Sequence, residues 1–409
     1  VTAGGLSVSA DITSIDSGIV SNGHGSLFRL NLPDMDTSAN QVDLRWQNLD
    51  LLDFSGKLFT QTHGFNTTVD GDTWTGFDFK LDYRVLNGEQ LDGSGKIIFD
   101  DGPELPIELD GNVVSNLWKV TLPSSSIKAG QVSNLLKLAK IDLPKHLKLV
   151  NGVLEIQGEI ILDEEVKATM IFNGRQFSAS IRESRADDGD FSFKAALEQE
   201  LSVDGPISIE TVSLAGGIDL TQLSTELSVT RADSLTMQDI SANIFEGQLH
   251  LATLQYADGE IADTRAEFTH INLNRVLAFA EIDGLDGTGY LDASFPLSQK
   301  PSGMIINNGT FNSTGAGRLS YVKEAVVAAN IGMQALENFH YKQLSGTINY
   351  KADGEYQISI RLEGSNPDLY EGYPVIFNLS INGVMPALFE SMFITGSFEE
   401  AILKQVKSQ

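Results

Sequence analysis

A chain of 409 residues exceeds the ~250 at which a single compact core usually stops growing, so it must either divide or extend. With 41% apolar residues, 38 Gly and 11 Pro it is folded and turn-rich, which excludes a disordered tail. Its 55 acidic against 28 basic residues give a formal charge of −27, which disfavours nucleic acid and anionic membrane surfaces, and the absence of cysteine excludes disulfides and thiolate metal sites.

From the N-terminus, Val1 to Leu6 carry no basic stretch followed by an apolar core, and no window approaches the ~18 apolar residues of a membrane span. Any signal or membrane anchor would lie upstream of Val1. From Gln41 onward the chain alternates apolar and polar residues. Val42, Leu44 and Trp46 alternate with Asp43, Arg45 and Gln47, and Phe77, Phe79, Leu81 and Tyr83 alternate with Asp78, Lys80, Asp82 and Arg84. Val166, Ala168, Met170 and Phe172 continue the pattern, as do Phe191, Phe193, Ala195 and Leu197. Tyr356, Ile358, Ile360 and Leu362 repeat it near the end, against Gln357, Ser359, Arg361 and Glu363. This period of two is the signature of strands that are dry on one face and wet on the other.

Between these segments, Asx-Gly pairs recur from Asn22-Gly23 to Asn382-Gly383, including Asn87-Gly88, Asp92-Gly93, Asp110-Gly111, Asn173-Gly174, Asn308-Gly309 and Asp353-Gly354. Such pairs favour tight hairpins, which predicts an antiparallel meander in chain order. Helices are predicted to be few: Val132 to Lys140, Asn274 to Glu281, about Tyr321 to Phe339, and a capped C-terminal helix from Ser397 through about Lys407. Leu135 to Ile141 leading to Asn151-Gly152, and Arg275 to Ile282 leading to Asp286-Gly287, share the order helix, turn, strand after Gly, which reads as a degenerate internal repeat. The predicted divisions are 1–130, 131–213, a repeat at 214–320, and a helix and strand module at 321–409.

Catalytic and metal chemistry is looked for and not found. Six histidines are scattered without ligand spacing, and Gly93-Ser94-Gly95-Lys96 lacks the rest of a phosphate loop. Asp187, Asp188 and Asp190 lack the closing Glu of a calcium loop. No enzyme and no cofactor is expected. The apolar strand faces must nevertheless meet something, at ~1.5–3 kcal/mol per large side chain. Two such faces closing on each other give a structural or adhesive solenoid. A curled sheet whose face stays open gives a groove for apolar ligands, and some twenty strands at ~4.8 Å would make it on the order of 100 Å long.

Ile244-Phe245-Glu246-Gly247-Gln248-Leu249-His250-Leu251, the helix from Leu273 to Ala280, Gly284 to Leu291, and Gly315-Ala316-Gly317-Arg318-Leu319-Ser320-Tyr321 together resemble the AsmA-like superfamily, which includes TamB and YhdP. Ala335 to Tyr341, Leu362 to Asp368 and Pro374 to Leu379 are similar, more narrowly, to the C-terminal part of the YdbH family. The resemblance is carried by Leu214 to Gln409.

The resemblance implies a mainly β fold, an elongated antiparallel sheet curled into an open apolar groove or half-barrel with a few short helices. It implies a periplasmic protein of a Gram-negative bacterium that conducts phospholipid between inner and outer membranes, tails in the groove and headgroups in solvent. The acyl path would comprise Leu44, Trp46, Phe77, Phe79, Leu81, Leu154, Ile156, Ile160, Met170, Phe172, Phe191, Phe193, Leu249, Leu251, Phe268, Leu291, Phe295, Ile358, Ile360 and Leu362. Its implied partners are phospholipid, the inner membrane through an anchor outside this chain, and a small outer-membrane lipoprotein. That lipoprotein would add a strand to the last edge at Val375, Phe377, Leu379 and Ile381.

Overall fold

In the computed structural model, residues 2–384 are described apart from 16–17, 34–35, 70–71, 101, 139–145, 164, 199, 215–216, 232–233, 258–259, 281–283, 301–302 and 323–330. The alternating segments become strands throughout. There are 24 of them, antiparallel and not closed into a barrel, with three short helices among the described residues. Two compact units divide the chain: Val1–Ala179 with Asp190–Val203, and Ser180–Gly189 with Asp204–Gln409.

The first unit is a meander. Strands β1 (Gly5–Ile15), β2 (Gly18–Leu32), β3 (Thr37–Asp50), β4 (Gly56–Val69), β5 (Asp72–Leu86), β6 (Gln90–Phe99), β7 (Glu104–Asn112) and β8 (Leu117–Lys128) each pair with the next in sequence. Helix α1 (Ala129–Leu138) follows, and β9 (Leu147–Leu162) then returns to pair with β8. β10 (Val166–Ile181) pairs with β9, and β11 (Ser184–Leu197) and β12 (Leu201–Leu214) follow, each shared between the two units, β12 mostly in the second. Helix α1 sits on the apolar face. Val132, Leu135 and Leu136 join a cluster with Leu105, Ile127, Leu154 and Ile156, so the helix covers this part of the sheet from water.

The second unit repeats the plan with β13 (Ile218–Arg231), β14 (Ser234–Ile244), β15 (Gly247–Ala257), the two-residue β16 (Glu260–Ile261) and β17 (Thr264–Asn272). Helix α2 (Leu273–Ala280) leads into β18 (Leu285–Thr288), β19 (Tyr290–Lys300), β20 (Gly303–Ser313) and β21 (Gly317–Tyr321). After helix α3 (Ile331–Leu336) come β22 (Phe339–Tyr350), β23 (Glu355–Ser365) and β24 (Val375–Val384). β17 pairs with β19, β19 with β20, and β20 with β22, while β18 pairs with β21 and β21 with β22. The stretch 285–300 thus behaves as one strand broken at Gly289. Tyr341, 1% exposed, donates its hydroxyl to the Thr288 carbonyl at that break over 2.7 Å. A Cβ on Gly289 or Gly317 would collide with that hydroxyl.

Several expectations need correction. The helix expected from Tyr321 to Phe339 reaches neither end: Tyr321 ends β21, Phe339 begins β22, the described helical turns are Ile331–Leu336, and 323–330 lie outside the described residues. Phe339, at its expected end, is completely buried in β22. The first helix begins at Ala129, three residues earlier than expected, and the C-terminal helix from Ser397 lies outside the described residues. Most Asx-Gly pairs are also not turns. Asn87-Gly88 and Asp353-Gly354 are, but Asn22-Gly23, Asp92-Gly93, Asp110-Gly111, Asn151-Gly152, Asn173-Gly174, Asp188-Gly189, Asp204-Gly205, Asn308-Gly309 and Asn382-Gly383 lie inside strands. Their glycines have another use, which the apolar face makes plain.

Candidate functional site: an apolar sheet face floored by glycine and aromatic pairs

Register places the apolar residues in rows that cross the strands. In the first unit one row runs Ala10, Gly23, Trp46, Leu58, Tyr83, Gly93, Leu109, Val120, Ile160, one residue from each of β1 to β9. Nine strands at ~4.8 Å spacing make this row about 38 Å long. Beside it run Val8, Gly25, Leu44, Thr60, Leu81, Gly95 and Ile107. A third row, Leu30, Ala39, Phe65, Phe77 and Phe99, brings three phenylalanines side by side. Phe65, Phe77 and Phe79 pack with ring centroids 5.1–5.5 Å apart, two of the three contacts edge-on, the geometry favoured by aromatic quadrupoles.

In the second unit a row of eight strands runs Ala242, Leu249, Phe268, Ala293, Phe311, Gly346, Ile360, Leu379, about 34 Å by the same spacing. Ile348, Ile358 and Ile381 lie next to it, and Leu344, Leu362 and Phe377 beyond.

Glycine makes these rows possible. A Cβ on Gly23 would fall inside the ring of Trp46, on Gly93 against Tyr83, on Gly111 inside Trp118, on Gly174 inside Phe191 and on Gly346 against Phe311. Trp46, Trp118, Phe191 and Phe311 therefore lean over a bare stretch of the neighbouring strand instead of standing upright, while at Gly93 it is the backbone around Asp82 and Tyr83 that comes close. The result is a low apolar floor in which bulk is shared between strands.

All of the residues expected to form the acyl path lie on these strands, and none is exposed. Leu44, Trp46, Phe77, Phe79, Leu81, Ile160, Met170, Phe172, Phe191 and Phe193 are half-buried in the first unit, as are Phe268, Phe295, Ile358 and Ile360 in the second. Leu154, Ile156, Leu249, Leu251, Leu291 and Leu362 are buried outright. Leu154 and Ile156 owe this to α1, and Leu291 and Leu362 share a cluster with Leu273 of α2. Val375, Phe377, Leu379 and Ile381 are half-buried on β24, facing the same way as their β23 neighbours Gly364, Leu362, Ile360 and Ile358.

Leu58, Phe65 and Phe311 were missed by sequence reasoning, as were the glycines beneath the rings. The separation between glycine and ring differs from pair to pair, from Gly111 and Trp118 to Gly346 and Phe311, so it holds no local signal.

The opposite face is polar and its charges are paired in solvent. Lys96 meets Glu104 at 2.6 Å, Lys119 meets Glu159 at 2.6 Å and Arg361 meets Glu363 at 2.7 Å, all well exposed. Asp43 collects the densest network: it accepts from Ser26 at 2.6 Å and from Gln41 at 2.8 Å, with His63 at 3.1 Å. The hydrogen bond from Ser26, followed by that from Gln41, holds its carboxyl below the usual carboxylate value. No cluster of His, Asp and Glu suited to a metal occurs among the described residues, and no helix among them is long and apolar enough to cross a membrane.

These features define a class: a large open antiparallel β-sheet with one apolar and one charged face. More particularly, the chain belongs to the YdbH-like family of intermembrane phospholipid transport proteins, which it matches over residues 1–407. This is a lipid transport family and not an enzyme family. No curated protein sequence and no solved structure matches the chain.

Proposed function

We propose that the chain is a conduit for phospholipid between the inner and outer membranes, with acyl tails on the apolar face and headgroups in solvent. The observation that carries this reading is the unbroken transverse rows, in which Leu44, Trp46, Leu81, Phe268, Ile358 and Ile360 stay half-buried. At ~0.8 kcal/mol per methylene, a tail leaving a bilayer for water meets a barrier of order 10 kcal/mol, and a continuous apolar floor removes most of it. The rows run across the strands, so a tail lying along one would pass from strand to strand. The buried set, Leu154, Ile156, Leu249, Leu251, Leu291 and Leu362, supports the floor from within and does not itself meet lipid.

The protein works in the periplasm, held to the inner membrane by an anchor outside this chain, and without catalysis. β24 receives a strand from a small outer-membrane lipoprotein, whose apolar side chains extend the rows past Val375, Phe377, Leu379 and Ile381. Backbone pairing supplies the affinity and the half-buried side chains the register.

A photo-crosslinker at Phe79, Phe268 or Ile360, with Lys80 and Arg361 as outward controls, tests the reading. Lipid adducts are expected at the first three only, and Ile360→Arg is expected to block passage while the chain still folds, because a charge on this floor lacks a partner. Equal adducts on both faces, or none, would refute it.

A further inference from the structure

The strands of both units are interrupted by one recurring device. Between β17 and β19, Phe268 faces Ala293 and Ile271 faces Leu291, so Thr269 and His270 together oppose the single residue Asp292. His270 adopts the left-handed backbone region at φ 55° and donates its N–H to Asp292 Oδ1 over 2.8 Å. Between β20 and β22 the same arrangement sets Asn307 and Asn308 against Asn349: Asn308 has φ 54° and its N–H reaches Asn349 Oδ1 at 2.9 Å. In the first unit Gln47 and Asn48 oppose Asn22, with Asn48 at φ 51° and its N–H 2.8 Å from Asn22 Oδ1. Gln176 at φ 53° donates likewise to Asp190 Oδ1 at 2.8 Å.

The first three are β-bulges whose second residue is held left-handed by an Asx oxygen on the next strand, and Gln176 shares the left-handed backbone and the Asx acceptor. Non-glycine residues rarely take this backbone region, and the extra residue would leave its N–H without a ladder partner. The Asx side chain supplies that partner from the solvent face, where Asn22, Asp190 and Asp292 are exposed. The bulge also keeps Phe268 and Ile271, three apart, on the same apolar face, which unbroken alternation would not do. Bulges bend strands and increase their twist, and they are the means by which sheets curl.

We infer that Asn22, Asp190, Asp292 and Asn349 are positioning residues that set the curl of the sheet, and through it the width of the apolar track and the set of tails it accepts. The part concerning tails rests on the conduit reading above. The locks never touch lipid. They act through the backbone of the bulge opposite, from the polar face.

The test uses the absence of cysteine, which lets spin labels be placed at Arg265 and Asn274, on either side of the bulge at His270. Asp292→Ala is expected to broaden and shift the distance distribution between them and to speed amide exchange at His270. Asp292→Asn, which retains the oxygen acceptor, is expected to restore both. In the chain carrying Asn22→Ala, Asp190→Ala, Asp292→Ala and Asn349→Ala, lipid recovered per chain is expected to fall, with a wider spread of tail lengths. An unchanged distance distribution in Asp292→Ala would overturn the lock. A changed distribution with unchanged lipid content and tail spread would overturn its role in cargo width. Lipid missing from the unsubstituted chain would instead defeat the conduit reading, and with it the cargo role, leaving the distance measurement to decide the lock alone.

Discussion

Replacing Gly174 by Ala probes the floor directly. Gly174 on β10 lies outside the left-handed backbone region, so alanine fits the local conformation, and the three atoms nearest its Cβ would all belong to the Phe191 ring on β11. That ring is already committed: it stacks on Phe193 with centroids 4.8 Å apart and leans on Phe177 at 5.3 Å. Removing glycine restricts the unfolded chain, which stabilises by ~0.4–1 kcal/mol. Lifting the ring costs ~1–3 kcal/mol of overpacking. The net expectation for Gly174→Ala is a loss of about 1–2 kcal/mol. With Phe191→Ala in place there is no ring to lift, and the sign reverses: the same glycine replacement should then stabilise by ~0.4–1 kcal/mol. Denaturant unfolding of the four proteins in this double-mutant cycle reads the coupling. Equal destabilisation by Gly174→Ala in both backgrounds would show that the ring does not rest on this glycine, and would remove the physical basis assigned to the floor.

Tyr341→Phe keeps the ring in its seat but leaves the Thr288 carbonyl without its donor, and is expected to cost about 1–2 kcal/mol in denaturant unfolding; a neutral effect would show that water replaces the hydroxyl there. The lowered Asp43 carboxyl makes a pH prediction. Its stabilising contribution is present above the ordinary carboxylate pKa of about 4 and is lost as pH falls through the still lower folded value, so the stability gap between wild type and Asp43→Asn should close on acidification through that range. A gap that widens with acid would contradict the assigned hydrogen bonds. Solvent screening keeps the effect small, because the Asp43 side chain is 41% exposed.

How much of this was legible beforehand depends on range. Alternation such as Phe77 to Arg84 is written in adjacent residues, since the side-chain period of a strand is two, and it correctly marked strands, their apolar face and an antiparallel course. Short helical stripes at 132–136 and 274–280 were legible for the same reason. Only at the ends of the helix expected from Tyr321 to Phe339 did pairing of Tyr321 with Leu285 and tertiary burial of Phe339 outweigh local apolar spacing.

The Asx-Gly pairs failed more instructively. By sequence alone, the pairs Asn22-Gly23 and Asn87-Gly88 are equivalent, and both allow a turn. Only the partner strand separates them: Trp46 needs the space over Gly23 and the Asn48 N–H needs the Asn22 oxygen, whereas nothing comparable crosses Asn87-Gly88. Sequence by itself determined which residues can share a dry face, because that is set by neighbours along the chain. Tertiary structure alone decided which glycine lies under which ring and where each strand bulges, because those depend on register between strands, and register joins residues that the sequence holds apart.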